Sequence, residues 1–167
     1  MQKVMSIFAT LLISYSVSAD VRAVISKDER GNIRNLNQLE AMSACATGFR
    51  LATVREAAQI IQNQGGKGIL ELNLNGNLSE FYSPGQMLNK ISGINPGGQR
   101  DEFYYSNVGY QVPKNEFSNN WFWTSSIDSN DPVYKIYGYQ ISGATGKILS
   151  FNRKTRHGAA LCVPVSQ

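Results

Sequence analysis

Apolar residues recur at helical spacing in two segments of the first half of the chain. The first segment covers residues 35–47, where three apolar side chains would lie on one side of a helix: Leu36, Leu39 and Met42. Asn35 or Asn37 can cap its start, because an asparagine side chain accepts a hydrogen bond from a free amide of the first turn. Gly48 can end it in a left-handed conformation. We therefore predict a first helix between these residues.

The second helical segment opens with a capping box. Thr53 and Glu56 have the spacing at which each side chain accepts a hydrogen bond from the backbone amide of the other residue. The helix then continues through three apolar residues: Ala57, Ile60 and Ile61. Gly65 and Gly66 favour its end.

Residues 65–120 show little regular alternation. They are rich in glycine, asparagine, serine and tyrosine, and they contain Pro84, Pro96 and Pro113. We predict long ordered loops with short irregular elements. A compact domain that spends this much chain on loops usually binds something with them.

Strand patterns occur near the start of the chain and again in its last third, where β-branched and aromatic residues are frequent. The predicted strands cover residues 21–26, 122–126, 133–141, 147–151 and 160–165. The sequence Ser-Gly-Ala-Thr-Gly at residues 142–146 suits a hairpin turn. Residues 153–158, called the basic loop below, precede the last strand. Helices first and strands last predict an α+β fold.

The first 19 residues have the pattern of an export signal. Lys3 gives a positive start, residues 4–14 are mainly apolar, and Val17-Ser-Ala19 presents small residues at the positions that a signal peptidase reads. The apolar run is too short for a stable membrane anchor. We expect cleavage after Ala19, which leaves residues 20–167 as a single secreted or periplasmic domain, long enough to bury a core.

The two cysteines, Cys45 and Cys162, lie far apart in this domain. After export both enter an oxidising compartment, where two thiols in a small domain usually pair. Their bridge would join the first helix to the last strand. Closing a loop on the order of 100 residues removes roughly 4–5 kcal/mol of unfolded-state entropy. Two buried free thiols are the alternative.

Three short segments, in this order, resemble motifs of one bacterial family. Residues 45–56, Cys-Ala-Thr-Gly-Phe-Arg-Leu-Ala-Thr-Val-Arg-Glu, resemble a segment that reads Gly-aromatic-Arg-Leu-Pro-Thr and then Glu. Residues 122–126, Phe-Trp-Thr-Ser-Ser, resemble an aromatic-Trp-Thr/Ser-Ser-Ser strand, and residues 161–163 resemble a closing Arg-Cys-Val strand. Over about residues 21–165 the chain is similar to the bacterial C-type-lectin-like family that includes the C-terminal domain of the collagen-like adhesins.

The resemblance implies a C-type-lectin-like fold, with two helices packed on a twisted, mainly antiparallel sheet and a long loop region. It also implies a non-enzymatic binding module, because adhesin domains of this type bind sulfated glycans. Ala52 and Leu161 depart from the family pattern, which has proline and arginine there. The Glu-Pro-Asn or Gln-Pro-Asp loop and the Trp-Asn-Asp strand of calcium-dependent sugar-binding members are absent from the sequence. Calcium-dependent sugar binding is therefore not implied.

Catalysis and metal binding find little support in the residue types. His157 is the only histidine, and with two bridged cysteines it cannot supply the roughly four ligands of a zinc site. Formylglycine-generating enzymes share the wider fold and are the enzymatic alternative, but they need reactive cysteines that bind copper. Asp101, Glu102, Asp128 and Asp131 offer oxygen ligands for a structural calcium, although their spacing differs from an EF-hand loop. We expect no catalytic residue and no cofactor.

Charge distribution favours a binding function. The formal net charge is +4, and the chain after Asp131 has no acid but five bases: Lys135, Lys147, Arg153, Lys154 and Arg156. The planar fork of arginine suits sulfate and carboxylate groups. We therefore predict an exposed site for an anionic glycan in the basic loop, formed by four residues: Arg153, Lys154, Arg156 and His157. The alternative is a solvated face attracted weakly to the acids of residues 101–131.

Aromatic residues in the loop region also indicate recognition. Tyr104, Tyr105 and Tyr110 are interleaved with serine, asparagine and glycine, a mixture typical of adaptable binding surfaces. Core packing is the alternative for each ring. We predict a ligand that is a glycan or a protein surface, with no nucleic acid and no membrane insertion. An assembly subunit that packs against another envelope protein is the alternative function.

Overall fold

The computed structural model describes residues 24–72, 76, 78, 88–130, 133 and 135–165. The predicted export signal, the first part of the predicted opening strand and Asp131 lie outside these residues. The helices are α1 (Gln38–Ala41), α2 (Val54–Asn63) and a 3₁₀-helix (Glu116–Asn119). The strands are β1 (Val24–Ile25), β2 (Phe49–Leu51), β3 (Lys67–Leu70), β4 (Asn89–Ile94), β5 (Arg100–Ser106), β6 (Trp121–Asp128), β7 (Tyr137–Ser142), β8 (Ile148–Asn152) and β9 (Ala159–Pro164).

These nine strands form one mixed sheet, so the predicted α+β class is confirmed. The sheet runs in the order β1-β9-β6-β4-β5-β3, with β2 also pairing with β9 and the β7–β8 hairpin attached to β6. Strands β6 and β9 run parallel, and the other strand pairs are antiparallel. The strands predicted in the last third are present, although β7 begins at Tyr137 rather than at Val133.

The central strands are covered on both faces. Successive side chains of a strand point to opposite faces, so Phe122 enters the core beneath α2 while Trp123 enters a second core beneath α1. The main core includes Val54, Ala57, Ile61, Phe103, Tyr105, Phe122, Ile141 and Leu161. The second core is formed by Leu36, Ala41, Leu51, Trp123, Ala160 and Cys162. Burial on both faces explains why β6 lacks a simple apolar–polar alternation.

The predicted disulfide is confirmed. Cys45 and Cys162 are bridged across 117 residues, with an S–S distance of 2.08 Å and a Cα–Cα distance of 5.7 Å. The bridge joins the turns after α1 to β9, next to the contact of β9 with β1 and β2. It therefore fixes the N-terminal part of the described chain to the last strand.

The first helix is shorter than predicted. It covers four residues instead of residues 35–47, and Cys45 lies beyond it in a turn. Asn37 is the cap, with its Oδ1 accepting from the Glu40 amide at 3.0 Å. The helix cannot begin earlier because Leu36 exchanges backbone hydrogen bonds with Gly158. Gly48 has the left-handed φ of +83°, but it lies in the turn before β2 and not at the end of the helix.

The second helix matches its prediction. The Glu56 amide donates to Thr53 Oγ1 at 3.3 Å, and the Thr53 amide donates to Glu56 Oε2 at 2.8 Å. Arg50 adds a two-pronged contact to the same carboxylate, at 2.7 and 2.8 Å. Partial burial raises the pKa of Glu56, but the hydrogen bonds from Arg50 and Thr53 outweigh it and leave the pKa lowered.

The middle of the chain is more regular than predicted. Residues 65–120 contain β3, β4 and β5, and β4 pairs with β5 over six positions. The connecting turn begins at Asn95, whose amide donates to Gln99 O at 2.8 Å, and it contains two glycines with positive φ, Gly97 and Gly98. Both strands carry charged residues on an exposed face, so their hydrophobic pattern is weak and backbone pairing defines them. In the described part of the chain, none of the helices has the length and apolar character needed to cross a membrane.

Replacing both Cys45 and Cys162 by serine should lower the free energy of unfolding by about 2–5 kcal/mol, because the unfolded chain gains the freedom that the bridge removes. Urea denaturation of the oxidised protein and the double variant measures the difference. Reduced wild-type protein is the matched control and should lose a similar amount. Alkylation of both thiols in unfolded protein that was never reduced would contradict the bridge.

Thr53→Ala should destabilise the protein by about 1 kcal/mol, because the Glu56 amide loses its hydrogen-bond acceptor at the start of α2. Thr53→Ser keeps the hydroxyl and is the control, with a much smaller expected loss. Both are measured by denaturant unfolding. Equal stability of the alanine and serine variants would show that the cap contributes nothing.

Candidate functional site

The basic loop begins with a turn organised by the last residue of β8. Asn152 Oδ1 accepts from the amides of Lys154 and Thr155 at 3.0 and 3.3 Å, and Asn152 O accepts from the Arg156 amide at 3.1 Å. Lys154, Arg156 and His157 are exposed, as predicted. The loop therefore presents a lysine, an arginine and a histidine side chain on a backbone fixed by hydrogen bonds.

Arg153 differs from the other bases of the loop, and its predicted exposure is wrong. Its side chain is half-buried, with Nε donating to Gln38 Oε1 and Nη1 donating to Lys135 O at 2.9 Å. Gln38 is itself fully buried, and its Nε2 donates to the backbone carbonyls of Thr124 and Ser126 in β6. Burial lowers the pKa of Arg153. Arg153 thus links the loop to α1 and β6 and has a structural role.

Arg156 lies over an aromatic pair. Its guanidinium carbon is 4.8 Å from the Phe151 ring centroid and 5.9 Å from that of Trp121. The two rings meet edge to face, with their centroids 5.3 Å apart. A cation over a ring face is attracted by the ring quadrupole. The contact holds an exposed arginine in place, so less side-chain freedom is lost when it binds an anion.

The described acids of residues 101–131, which do not include Asp131, form no ion pair with this loop. Asp101 accepts from Arg55 Nε at 2.7 Å, and Glu102 pairs with Lys90 and Arg100 at 2.8 and 3.0 Å. Within the described residues, no ion pair joins an acid to a base that follows residue 131. The described chain has no cluster of three His, Cys, Asp or Glu residues suited to a metal, and Asp131 of the calcium hypothesis lies outside it.

The three candidate tyrosines have different roles. Tyr105 is 1% exposed in the main core, and its hydroxyl contacts the Ile148 amide, so its predicted place on a binding surface is wrong. Tyr110 is half-buried, and its hydroxyl donates to Gly143 O at 2.7 Å; burial raises its pKa to about 12. Tyr104 is half-buried on β5. The prediction for these tyrosines rested on residue composition, which does not distinguish aromatic rings of the core from rings on the surface.

A polar cleft of about 280 Å³ lies beside the basic loop. We call it the Trp121 cleft; its side chains with polar or aromatic groups are Arg34, Asn35, Asn119, Asn120, Trp121 and His157. They come from the segment before α1, the end of the 3₁₀-helix, the start of β6 and the basic loop. The sequence held no local signal for this site, because its residues come together only in the folded chain.

Gly158 closes the inner side of this cleft. Its amide donates to Leu36 O at 2.9 Å, and its carbonyl accepts from the Leu36 amide at 2.8 Å. A Cβ at this position would lie 2.6 Å from Gln140 Nε2 and 2.8 Å from Trp121 O, so only glycine fits without a shift. The basic loop and the segment before α1 are therefore held together by backbone contacts.

The chain matches no protein-family model, no curated protein and no solved structure.

Arg153→Ser should lower the free energy of unfolding by about 1–3 kcal/mol, because Gln38 Oε1 loses its donor in a buried position. Lys154→Ser removes the same charge from the next residue, which is exposed, and should leave stability nearly unchanged. Thermal and denaturant unfolding of the two variants test the difference. Equal stability of both would refute the structural role of Arg153.

Proposed function

We propose that this protein is a non-enzymatic binding module of the C-type-lectin-like type that recognises an anionic glycan. We further propose that it acts outside the cytoplasm, after removal of residues 1–19. The disulfide supports an oxidising compartment. It also engages both cysteines, which leaves no reactive thiol for chemistry of the formylglycine-generating kind.

The observation that carries the proposal is the exposed Arg156 held over Phe151 and Trp121, with no acidic partner among the described residues. Lys154 and His157 lie on the same loop and are exposed as well. A fixed guanidinium offers two parallel donors to a sulfate or carboxylate. Aromatic and basic groups on one surface suit a ligand that carries both sugar rings and anionic groups.

An assembly subunit remains the second candidate, because the surface around α1 has exposed apolar side chains. Leu39 and Met42 of α1 are 47% and 45% exposed, and Ile136 ahead of β7 is 40% exposed. Leu39 and Ile136 line a groove that also contains Lys135 and Lys154. A partner protein that covers this groove would account for apolar residues in contact with water.

Lys154→Ser combined with Arg156→Ser should abolish retention on a heparin column at low salt. Retention of the wild-type protein should weaken with salt, because the Debye length falls from ~10 Å at 0.1 M to ~3 Å at 1 M. Arg153 stays unchanged in this variant, so the melting temperature should change little. Elution position and melting temperature are both measured.

The matched control is Arg30→Ser combined with Lys114→Ser, which removes one arginine and one lysine from other exposed positions. This variant should elute near the wild type. Equal loss of retention in both variants would indicate a general charge effect, against a site in the loop. Wild-type protein that passes through the column at low salt would refute the proposed function.

A further inference from the structure

Several polar side chains of the Trp121 cleft are not used by the fold. Arg34, Asn35, Asn119 and His157 are exposed, and these side chains form no hydrogen bond or ion pair with another described residue. Hydrogen bonds from Asn32 chiefly lower the pKa of Asp28, and the charge of Arg34 adds to this lowering from a distance. Within the described part of the chain, two amides, a guanidinium and an imidazole therefore have no partner around one concave site.

Several other asparagines of the chain have structural partners. Asn37 and Asn115 cap helices, Asn152 organises the basic loop, and Asn95 Nδ2 donates to Asp101 at 2.7 Å. Each of these amides has a local structural partner. Asn35 and Asn119 have none among the described residues, so their donors and acceptors are available to a ligand.

The walls of the cleft are set by backbone hydrogen bonds. Leu36 and Gly158 bond to each other, and Asn120 O accepts from the Gly143 amide at 2.9 Å. Asn120 Nδ2 also donates to Glu116 O at 2.8 Å, which fixes the residue between the two walls. A preformed site loses little freedom when it binds. The volume of about 280 Å³ is slightly below that of typical small-molecule sites, which start at about 300 Å³. One ring fits it better than a chain of rings.

We infer that the Trp121 cleft is a sugar subsite, which holds one hydroxyl-rich pyranose ring of the glycan whose anionic group contacts the basic loop. This inference rests on the proposed function. A planar amide offers a donor and an acceptor side by side, which matches neighbouring hydroxyls of a sugar ring. The cleft and the loop meet at Trp121, which lines the cleft and contacts Arg156 through its ring. The ligand class is therefore an acidic oligosaccharide, and not any polyanion.

The test compares two probes of matched sulfate number by calorimetry: a heparin hexasaccharide and a short poly(vinyl sulfate), which has no sugar ring. The wild-type protein should bind the hexasaccharide about tenfold more tightly, as one or two additional hydrogen bonds would produce. Asn35→Ala combined with Asn119→Ala should lose this preference and keep the affinity for poly(vinyl sulfate). The variant with Lys154→Ser and Arg156→Ser should lose its affinity for both probes.

The matched control is Asn63→Ala combined with Asn89→Ala, which removes two exposed amides that lie outside the cleft. This variant should keep the preference for the hexasaccharide. Equal affinity of the wild type for the two probes would overturn the sugar subsite and leave the proposed function standing. A preference that survives in the Asn35 and Asn119 variant would overturn it as well. Failure of the wild type to bind either probe would overturn both proposals.

Discussion

Polar side chains buried in β6 impose the constraint on which the other elements depend. Thr124, Ser125 and Ser126 are at most 5% exposed in a strand that is covered on both faces. Each hydroxyl needs a partner inside the protein, since an unpaired one costs about 1–3 kcal/mol. Thr124 donates to Tyr139 O of β7, and Ser125 donates to Ala52 O, just before the α2 cap. Ser126 donates to Asn95 Oδ1 in the β4–β5 turn. The hydrogen bonds of the buried β6 hydroxyls therefore fix the positions of three neighbouring elements.

The backbone of the same strand determines where the basic loop lies. The carbonyls of Thr124 and Ser126 accept from Gln38 Nε2, which places α1 across the sheet. Gln38 Oε1 then accepts from Arg153. One buried amide side chain thus satisfies the strand on one side and holds the first residue of the loop on the other. The residues proposed to bind the ligand need no polar partner of their own, because Arg153 anchors the loop for them.

Local patterns predicted the features that depend on neighbours in sequence. The Thr53–Glu56 box and the last strands could be found in this way, and export chemistry indicated the disulfide. Features that depend on contacts between distant residues could not be predicted from local patterns. The length of α1 depends on the bridge between Leu36 and Gly158. Arg153 shares its sequence context with Arg156, but a partner 115 residues away makes it structural. The basic loop is one continuous segment, so its charges could be recognised in the sequence. The Trp121 cleft is built from separate segments, so it could not be predicted.

The distribution of ion pairs explains why a basic surface persists in a chain with twelve acids. Three acids near the middle of the chain are paired with bases that precede them: Asp101 with Arg55, Glu102 with Lys90 and Arg100, and Glu116 with Lys27. These three acids are therefore not available to pair with the bases of the last third. The bases of the last third are then left without acidic partners in the described chain. Such a surface repels itself, and an anionic ligand would relieve the repulsion, which supports the proposed binding of an acidic glycan.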